Sequence, residues 1–402
     1  MAAVSPARRA AYEVLLRVFE QDAYADRVFR TAAQDLDERD RALAQRLAYG
    51  AVQRVRTLDY AIETLGKRPV RKLDPPVRAA LRLGAYQLAF TGTAPHAAAN
   101  ESVELVRRAR LERAVPFTNA VMRRLVAGIG PLVDALPDGP LKESYPDWIY
   151  ETWVRDLGPE GALALMRAQN EPLETVVHLL DGPPPGEPTD VPGAYRVRRV
   201  DPEAVEAGRV WPQSRGSQLA GVVVGAQEGE RVLDLCAAPG GKALQLRGDV
   251  TAVEIDPHRA SELRENLARA HRGDVTVVEA DGTALPPELA GFDRAMVDAP
   301  CSGLGVLVGR PDLRWRSRPL PELQLALLRS AAERVRPGGT IVYSVCTINA
   351  DENEAVVDAS GLEPVPLGKE WPAYAHPRRP EFLLTLPHVH RTTGFFVARL
   401  KA

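Results

Sequence analysis

Asp234-Leu-Cys-Ala-Ala-Pro-Gly-Gly-Lys242 is the stretch whose reading decides the fold. A short apolar run at 231–235 leads into it, and Pro-Gly-Gly cannot continue a strand. Glycines there let the backbone approach a ligand, and a helix expected after Lys242 would present an N-terminus that favours a carboxylate. On both sides apolar runs alternate with amphipathic ones. Strands are expected at 231–235, 250–253, 275–278, 294–297, 340–343 and 395–400, with helices at 257–270 and 321–335. Such alternation predicts a doubly wound, mainly parallel α/β sheet of the Rossmann-like kind, with ligands at the carboxyl ends of its strands.

Working toward the N-terminus, the period changes. Over residues 10–136 apolar side chains recur at helical spacing: Val14, Leu15, Val18 and Phe19; Leu43, Leu47 and Val52; Leu81, Leu83, Tyr86 and Leu88; Val103 and Val106; Val121, Leu125 and Val126. Proline and glycine fall between these runs, as expected of an all-α domain. Leu136-Pro-Asp-Gly-Pro then breaks the pattern. Residues 144–215 mix a helix at 148–169 with a strand at 175–180. Within them, Gly182-Pro-Pro-Pro-Gly-Glu-Pro can form neither a helix nor a central strand. The expected domains are therefore 1–136, all helical; 144–215, a small α+β linker; and 216–402, Rossmann-like.

The chain has 402 residues, enough for two or three cores. It has no run of about 18 apolar residues, and its N-terminus leads into an amphipathic segment. Only three cysteines occur, without the spacing of a disulfide framework. A soluble, cytoplasmic protein with no membrane contact is expected, acting as a monomer. The net charge of −2 conceals an asymmetry: residues 1–135 carry 22 Lys and Arg against 15 Asp and Glu, or +7, which leaves −9 for the remainder. A basic N-terminal third can dock a polyanion, although a solvated helical surface would look the same.

Acidic residues close three successive strands: Asp234; Glu254, 20 positions later, where a carboxylate can hold ribose hydroxyls; and Asp281, followed by Gly282, near an adenine amino group. The loop lacks the Gly-x-Gly-x-x-Gly spacing of dinucleotide binders, so S-adenosylmethionine fits it better than NAD. Asp298-Ala-Pro-Cys301 ends the fourth strand and Ser344-Val-Cys346 the fifth, so both thiols should overhang one crevice. Few reactions need a cofactor loop and two thiols. One is methylation of a pyrimidine carbon, in which a thiolate adds to the ring and the ring must later be freed. Such a thiol needs nearby positive potential, which Lys242 or Arg310 could supply. Cys236 reads as a small buried residue. His388-x-His390 lacks further ligands at metal spacing, so no metal is expected. Asp351-Glu-Asn-Glu354 reads as the acidic opening of a helix.

Together these motifs resemble the RNA cytosine-C5 methyltransferases, and within them the bacterial 16S ribosomal RNA methyltransferase B group, of the Sun or Fmu type. The matching strings are Asp234 to Lys242, Asp298-Ala-Pro-Cys-Ser-Gly-Leu-Gly, Arg310-Pro-Asp-Leu-Arg-Trp315, Ser344-x-Cys-Thr, Glu352-Asn-Glu and Thr393-Gly-Phe-Phe-x-Ala. In the N-terminal third, Tyr86-Gln-Leu and His96-Ala-Ala-Ala-Asn-Glu-Ser-Val-Glu resemble the group's NusB-like RNA-binding domain. The resemblance covers nearly the whole chain. It implies a class I S-adenosylmethionine-dependent methyltransferase domain whose substrate is RNA, 16S ribosomal RNA in this group. It further implies that Cys346 attacks cytosine C6, Cys301 assists loss of the C5 proton and release, and Asp298 holds the base edge with Lys242 beside it. The cofactor-contacting positions it matches are Ala238, Pro239, Gly240, Gly241, Lys242, Glu254, Arg259, Asp281, Gly282 and Asp298. DNA cytosine-C5 methyltransferases attack with a Pro-Cys thiol, which would exchange the two cysteines, and the residues alone leave that choice open. The chain departs from the group at Val345, where a threonine is usual, and at Gln213-Ser-Arg-Gly-Ser-Gln218. Competing readings are a transfer-RNA methyltransferase, a non-catalytic assembly factor and, with Asp298-Ala-Pro-Cys against it, amino-group methylation.

Overall fold

The computed structural model describes residues 4–402, so the first three residues of the expected helical domain lie outside the described residues. The chain forms two compact units. The first joins the chain up to Glu171 with Leu307–Arg316, and the second comprises Pro172–Val306 and Ser317–Ala402. The expected linker segment 144–215 is thus divided, its helix in the first unit and its strands in the second.

The first unit contains α1 (Pro6–Glu20), α2 (Ala25–Ala32), α3 (Glu38–Gln53), α4 (Val55–Gly66), α5 (Pro75–Phe90), α6 (Pro95–Arg108), α7 (Val115–Asp134), α8 (Pro140–Glu143) and α9 (Asp147–Ala168). Ser5 caps α1 through the Arg8 amide, and Asp37 caps α3 through Asp40. The core is built from the apolar stripes of these helices, including Val14, Leu15, Leu47, Leu81, Leu83, Val121 and Leu125. Val126 is an exception: it is 42% exposed, on the outer side of α7. Helices α3 and α5 cross at Gly50, where a Cβ would stand 1.9 Å from the Tyr86 hydroxyl. That crossing accounts for Tyr86 in the helical match. Helix α9 breaks at Gly158-Pro159 (Gly158 φ +75°), and its first half buries Trp153 edge-on to Tyr145, with ring centroids 5.3 Å apart. This packing explains why the 147–168 helix belongs with the helical unit.

Leu307–Arg316 completes that unit. Arg314 is fully buried and donates to Gln53 O, Ser144 O, Asn170 Oδ1 and Tyr145 Oη at 2.8 to 3.1 Å, its guanidinium 3.7 Å from the Tyr145 ring centroid. Burial pulls its pKa down to about 10, and carbonyls and the ring supply much of the lost solvation. Trp315 Nε1 donates to Val52 O at 2.7 Å. Arg310, named with Lys242 as a cation that could raise the potential at the thiols, belongs to this unit and lies 3.6 Å from Asp26.

In the second unit, β1 (Val176–Leu179), β2 (Glu187–Pro188), β3 (Ala194–Arg196) and β4 (Val210–Pro212) form an antiparallel sheet in the order β2-β3-β1-β4. The proline-rich stretch contributes only its two-residue edge strand, where missing amides cost nothing. Helices α10 (Pro202–Glu206) and α11 (Arg215–Val224) lead to the main sheet, made of β5 (Arg231–Leu235), β6 (Asp249–Glu254), β7 (Thr276–Glu279), β8 (Phe292–Asp298), β9 (Val335–Val345), β10 (Glu363–Pro364), β11 (Leu383–Thr385) and β12 (Phe395–Lys401). Its order is β10-β12-β9-β8-β5-β6-β7, with β11 paired to β12. The strands from β5 to β9 pair in parallel and β12 is antiparallel to β9. The remaining helices, in chain order, are α12 (Pro257–Arg269), α13 (Leu313–Arg316, in the first unit), α14 (Pro321–Arg334), α15 (Glu354–Ser360) and α16 (Pro387–His390). The chain runs outward from β5 to β7 and returns to β8 on the other side of β5, so the switch point lies between β5 and β8.

Candidate active site

The loop after β5 turns without an α-helix behind it. Only a 3-10 turn, Ala243–Gln245, follows Lys242, because β6 begins four residues later, so the helix expected here and its dipole are absent. Arg272 takes over the end of the turn, donating to Leu244 O and Leu246 O at 3.1 and 3.0 Å. Gly240 has φ +112°, a conformation L residues rarely adopt, and a Cβ on Gly241 would reach 2.8 Å from Trp211 Nε1. The loop's carbonyls are held by α12: Arg259 donates to Ala238 O at 2.7 Å and Asn266 to Pro239 O at 2.8 Å. Asp256 caps α12 and so sets the direction of Arg259, which also lies 3.3 Å from Glu254 Oε2.

The carboxyl edge of the sheet gathers the acidic residues. Glu254 ends β6, almost fully buried, and Oε2 has no hydrogen-bond partner; Asp281, beyond β7, is exposed and accepts from the Thr283 amide and hydroxyl. Asp234 is fully buried, and neither oxygen has a partner. Burial first, and then Asp298, push its pKa up to about 8, against the pull of Lys242. Glu254 Oε2, which accepts no hydrogen bond and faces Arg259 at 3.3 Å, keeps acceptor capacity at the strand end that fits a cofactor rich in hydroxyl and amino donors, as S-adenosylmethionine is. The folded pKa of Asp234 exceeds its unfolded value, so this residue's contribution to the stability of the ligand-free protein should fall as pH rises from about 4 to about 8. Asp234→Asn should flatten that decline and raise the melting temperature at pH 8, by an effect of up to a few kcal/mol. Thermal melts across this range check it, and parallel profiles for the two proteins would overturn the assignment.

Asp298 and Ser344 face each other in the β8/β9 register, and the Ser344 hydroxyl donates to Asp298 Oδ1 at 2.7 Å. Lys242 Nζ donates to Oδ2 at 2.7 Å and to Ser217 Oγ at 3.1 Å, and lies 5.1 Å from the Phe395 ring centroid. Asp298 is thus oriented on both oxygens. The next loop residues bring Cys301 Sγ to 3.4 Å from Cys346 Sγ, both half-buried. Hydrogen bonding to Cys346 and then burial raise the Cys301 thiol pKa well above its ordinary value. Cys236, in a left-handed conformation (φ +61°), has its thiol pushed up to about 12 by burial and by Glu254, Asp298 and Asp234.

Sequence reasoning missed Ser217, Ser344, Phe395 and, above all, Glu352. Glu352 was expected to sit at the acidic opening of a helix, yet α15 begins only at Glu354 and Glu352 is fully buried. Its Oε1 accepts from the amides of Ser302 and Leu320 and from Gln324 Nε2 at 2.9 to 3.1 Å; Oε2 accepts from Ser302 Oγ and from Asn349 Nδ2. Ser302 Oγ also meets Thr347 Oγ1 at 2.7 Å, so one carboxyl group ties together the residues that follow both cysteines. The available signal was the position of Glu352 in Glu352-Asn-Glu, six residues after Cys346. Glu352→Ala leaves several buried donors unmet and should destabilise the protein by about 3 kcal/mol or more, read as a lower urea midpoint. A midpoint within error of the parent would contradict this.

Val345, the departure beside Cys346, is fully buried, where a methyl group needs no partner. At the other departure, Ser214 caps α11 and meets Thr393 Oγ1 at 2.5 Å, while Arg215 pairs with Glu174 and Asp190. A Cβ at Gly216 would lie 2.8 Å from Thr393 O. Among the described residues no three His, Cys, Asp or Glu gather as a metal site, and His390 is engaged with Leu386 N and Ala373 O. No helix among them is long and apolar enough to cross a membrane.

Comparison with known proteins adds the rest. The family 16S rRNA methyltransferase RsmB/F matches residues 222–401 and the NusB family matches residues 5–127. A Mycobacterium tuberculosis protein named as a methyltransferase is 34% identical, covering 99% of this chain and 97% of its own. The ribosomal RNA small subunit methyltransferase B of Salmonella paratyphi B is 30% identical over 86% of this chain and 87% of its own. One crystal structure superposes over 100% of both chains with a TM-score of 0.82 at 22% identity, a likeness of fold. With the cofactor loop and acidic strand ends in place, the chain belongs to the 16S rRNA methyltransferase RsmB/F family, a family of S-adenosylmethionine-dependent RNA methyltransferases.

Proposed function

We propose that the protein methylates C5 of a cytosine in 16S ribosomal RNA through a covalent adduct between Cys346 and C6. The observation that carries this reading is the pair of thiols 3.4 Å apart at the ends of β8 and β9, beside an Asp298 oriented by Lys242 and Ser344. Ring C5 is a poor nucleophile until a thiolate adds to C6, and the second thiol has a use only if the adduct must later collapse.

Ala238 to Lys242, Glu254, Arg259, Asp281, Gly282 and Asp298 hold the cofactor. S-adenosylmethionine, when bound, supplies the methyl group. The target cytosine leaves its stack to enter the site. Asp298 accepts from its amino edge, and Lys242 keeps that carboxylate aimed. Cys346 loses its proton to water and its sulfur adds to C6 as the C5–C6 electron pair moves to C5, which would then receive the cofactor's methyl group while the sulfonium sulfur keeps the electron pair of the broken bond. Once the Cys346 sulfur is bonded to carbon, it is no longer a thiol hydrogen-bonded to Cys301, and the largest cause of the raised Cys301 pKa is removed. Having lost its proton to water, Cys301 takes the C5 proton; the C–H electron pair restores C5=C6, and the Cys346 thiolate leaves.

Transfer of labelled methyl to unmodified small-subunit RNA and, in parallel, to unmodified transfer RNA tests the proposal, with bisulfite mapping of the product. A single 5-methylcytosine in the ribosomal RNA is expected. Label only in transfer RNA would overturn the substrate, and label at an amino nitrogen would overturn the chemistry.

A further inference from the structure

At one end of the helical unit, the connection between α4 and α5 lies beside the connection between α6 and α7, and a cavity of about 350 Å3 opens between them. Arg68 and Lys72 enter from the first connection, Arg113 from the second, and Asp74 and Phe117 complete the polar and aromatic parts of the lining. Three cations against one carboxylate leave the lining at +2. Lys67, Arg71 and Arg110 add three more exposed cations on the same two connections. Lys67 ends α4 in a left-handed conformation, which turns the basic run away from the helix axis.

Elsewhere in this unit several arginines are paired, although Arg9, Arg39 and Arg123, which lie apart from one another in sequence, have no ion pair among the described residues. Arg8, Arg54, Arg56, Arg78, Arg82 and Arg107 each have a carboxylate within 4.0 Å. Around the cavity, by contrast, the described residues provide no ion pair for Arg68, Lys72 or Arg113. Three like charges held together with only Asp74 among them are unfavourable, and the cost is recovered when a polyanion arrives and releases its condensed counterions. Arg68 is also oriented: its guanidinium lies 5.4 Å from the Phe117 ring centroid and donates to Lys72 O at 3.4 Å. A guanidinium stacked on a ring keeps its N–H fork available for phosphate oxygens.

We infer that this cavity is a docking site for the sugar-phosphate backbone of the RNA substrate, with Arg68, Lys72 and Arg113 as its phosphate ligands. The inference rests on the reading of the substrate as RNA and assigns its backbone to a site in the helical unit. Interactions of this kind position the RNA without reading its sequence.

The test uses the full chain. In the variant R68Q/K72Q/R113Q all three side chains are exposed, so folding is retained and is checked by helical circular dichroism. A control, R9Q/R39Q/R123Q, removes the same charge from exposed positions elsewhere in the unit. Binding to a small-subunit RNA fragment is measured across a range of NaCl concentrations. Each phosphate that the protein no longer neutralises makes the log–log salt slope shallower by about 0.7 to 0.9. The cavity variant should therefore lose about 2 from the slope and at least tenfold in affinity at low salt, with the control close to wild type and S-adenosylmethionine affinity unchanged in both. An unchanged slope in the cavity variant, or an equal loss in the control, overturns the site. Wild-type methyl transfer is scored separately: RNA bound at the cavity but never methylated would sink the proposed function and leave the site standing, whereas a wild-type chain that binds no RNA would overturn both.

Discussion

Cys346→Ala is expected to abolish methyl transfer, by a factor of at least about 10^4, since without its sulfur the proposed adduct at C6 cannot form. S-adenosylmethionine affinity should change less than about twofold, because the acidic strand ends and the 238–242 loop do not use the thiol. Labelled-methyl transfer with equilibrium dialysis of the cofactor measures both. The competing assignment makes Cys301, the Pro-Cys thiol, the nucleophile. It predicts that the Cys346 variant still forms a covalent RNA complex, and such a complex would reverse the roles. The 3.4 Å contact is the same seen from either sulfur, so the presence or absence of that complex decides which thiol is the nucleophile.

Cys301→Ala should have the second largest effect, of a different kind. The first half of the reaction needs only Cys346, so methyl should transfer once per protein chain and then stop. Methylated RNA would remain attached and run as a slow band on a denaturing gel. Steady turnover should fall by about 10^2 to 10^4, the range ordinarily assigned to a lost general base. Adding reductant should not dissolve the band, since the bond is a thioether and not a disulfide. Normal turnover without an adduct would show that release uses another group. A double variant lacking both thiols should form no band, which separates a catalytic adduct from adventitious cross-linking.

The central strands and helices were largely legible in the sequence. Strand β5 falls at 231–235 as its apolar run implies, and α12 and α14 match to within a residue. Strong periodicity and proline at the helix starts explain this, because burial and caps are local signals. Expectations failed where a residue's partner is far away in sequence. No local signal distinguishes an exposed acidic cap from Glu352, whose partners Ser302, Leu320 and Gln324 precede it by some 30 to 50 positions. Arg310 stands only nine residues after Cys301, yet its segment packs in the helical unit, drawn there by the carbonyls that solvate Arg314. The helix foreseen after Lys242 failed for lack of room before β6.

What the sequence by itself determined is the chemical inventory: a glycine turn after a strand, acidic residues at strand ends and two cysteines at the ends of adjacent strands, each readable because strand and turn signals are short-range. The tertiary structure alone decided how these groups act on one another. The β8/β9 register sets Ser344 against Asp298, Lys242 reaches the same carboxylate from 56 residues away, and the sulfurs meet at 3.4 Å, so that one thiol's pKa depends on the other. Proton affinity and hydrogen bonding fall off over a few ångströms, and such separations between residues distant in sequence exist only once the chain is folded.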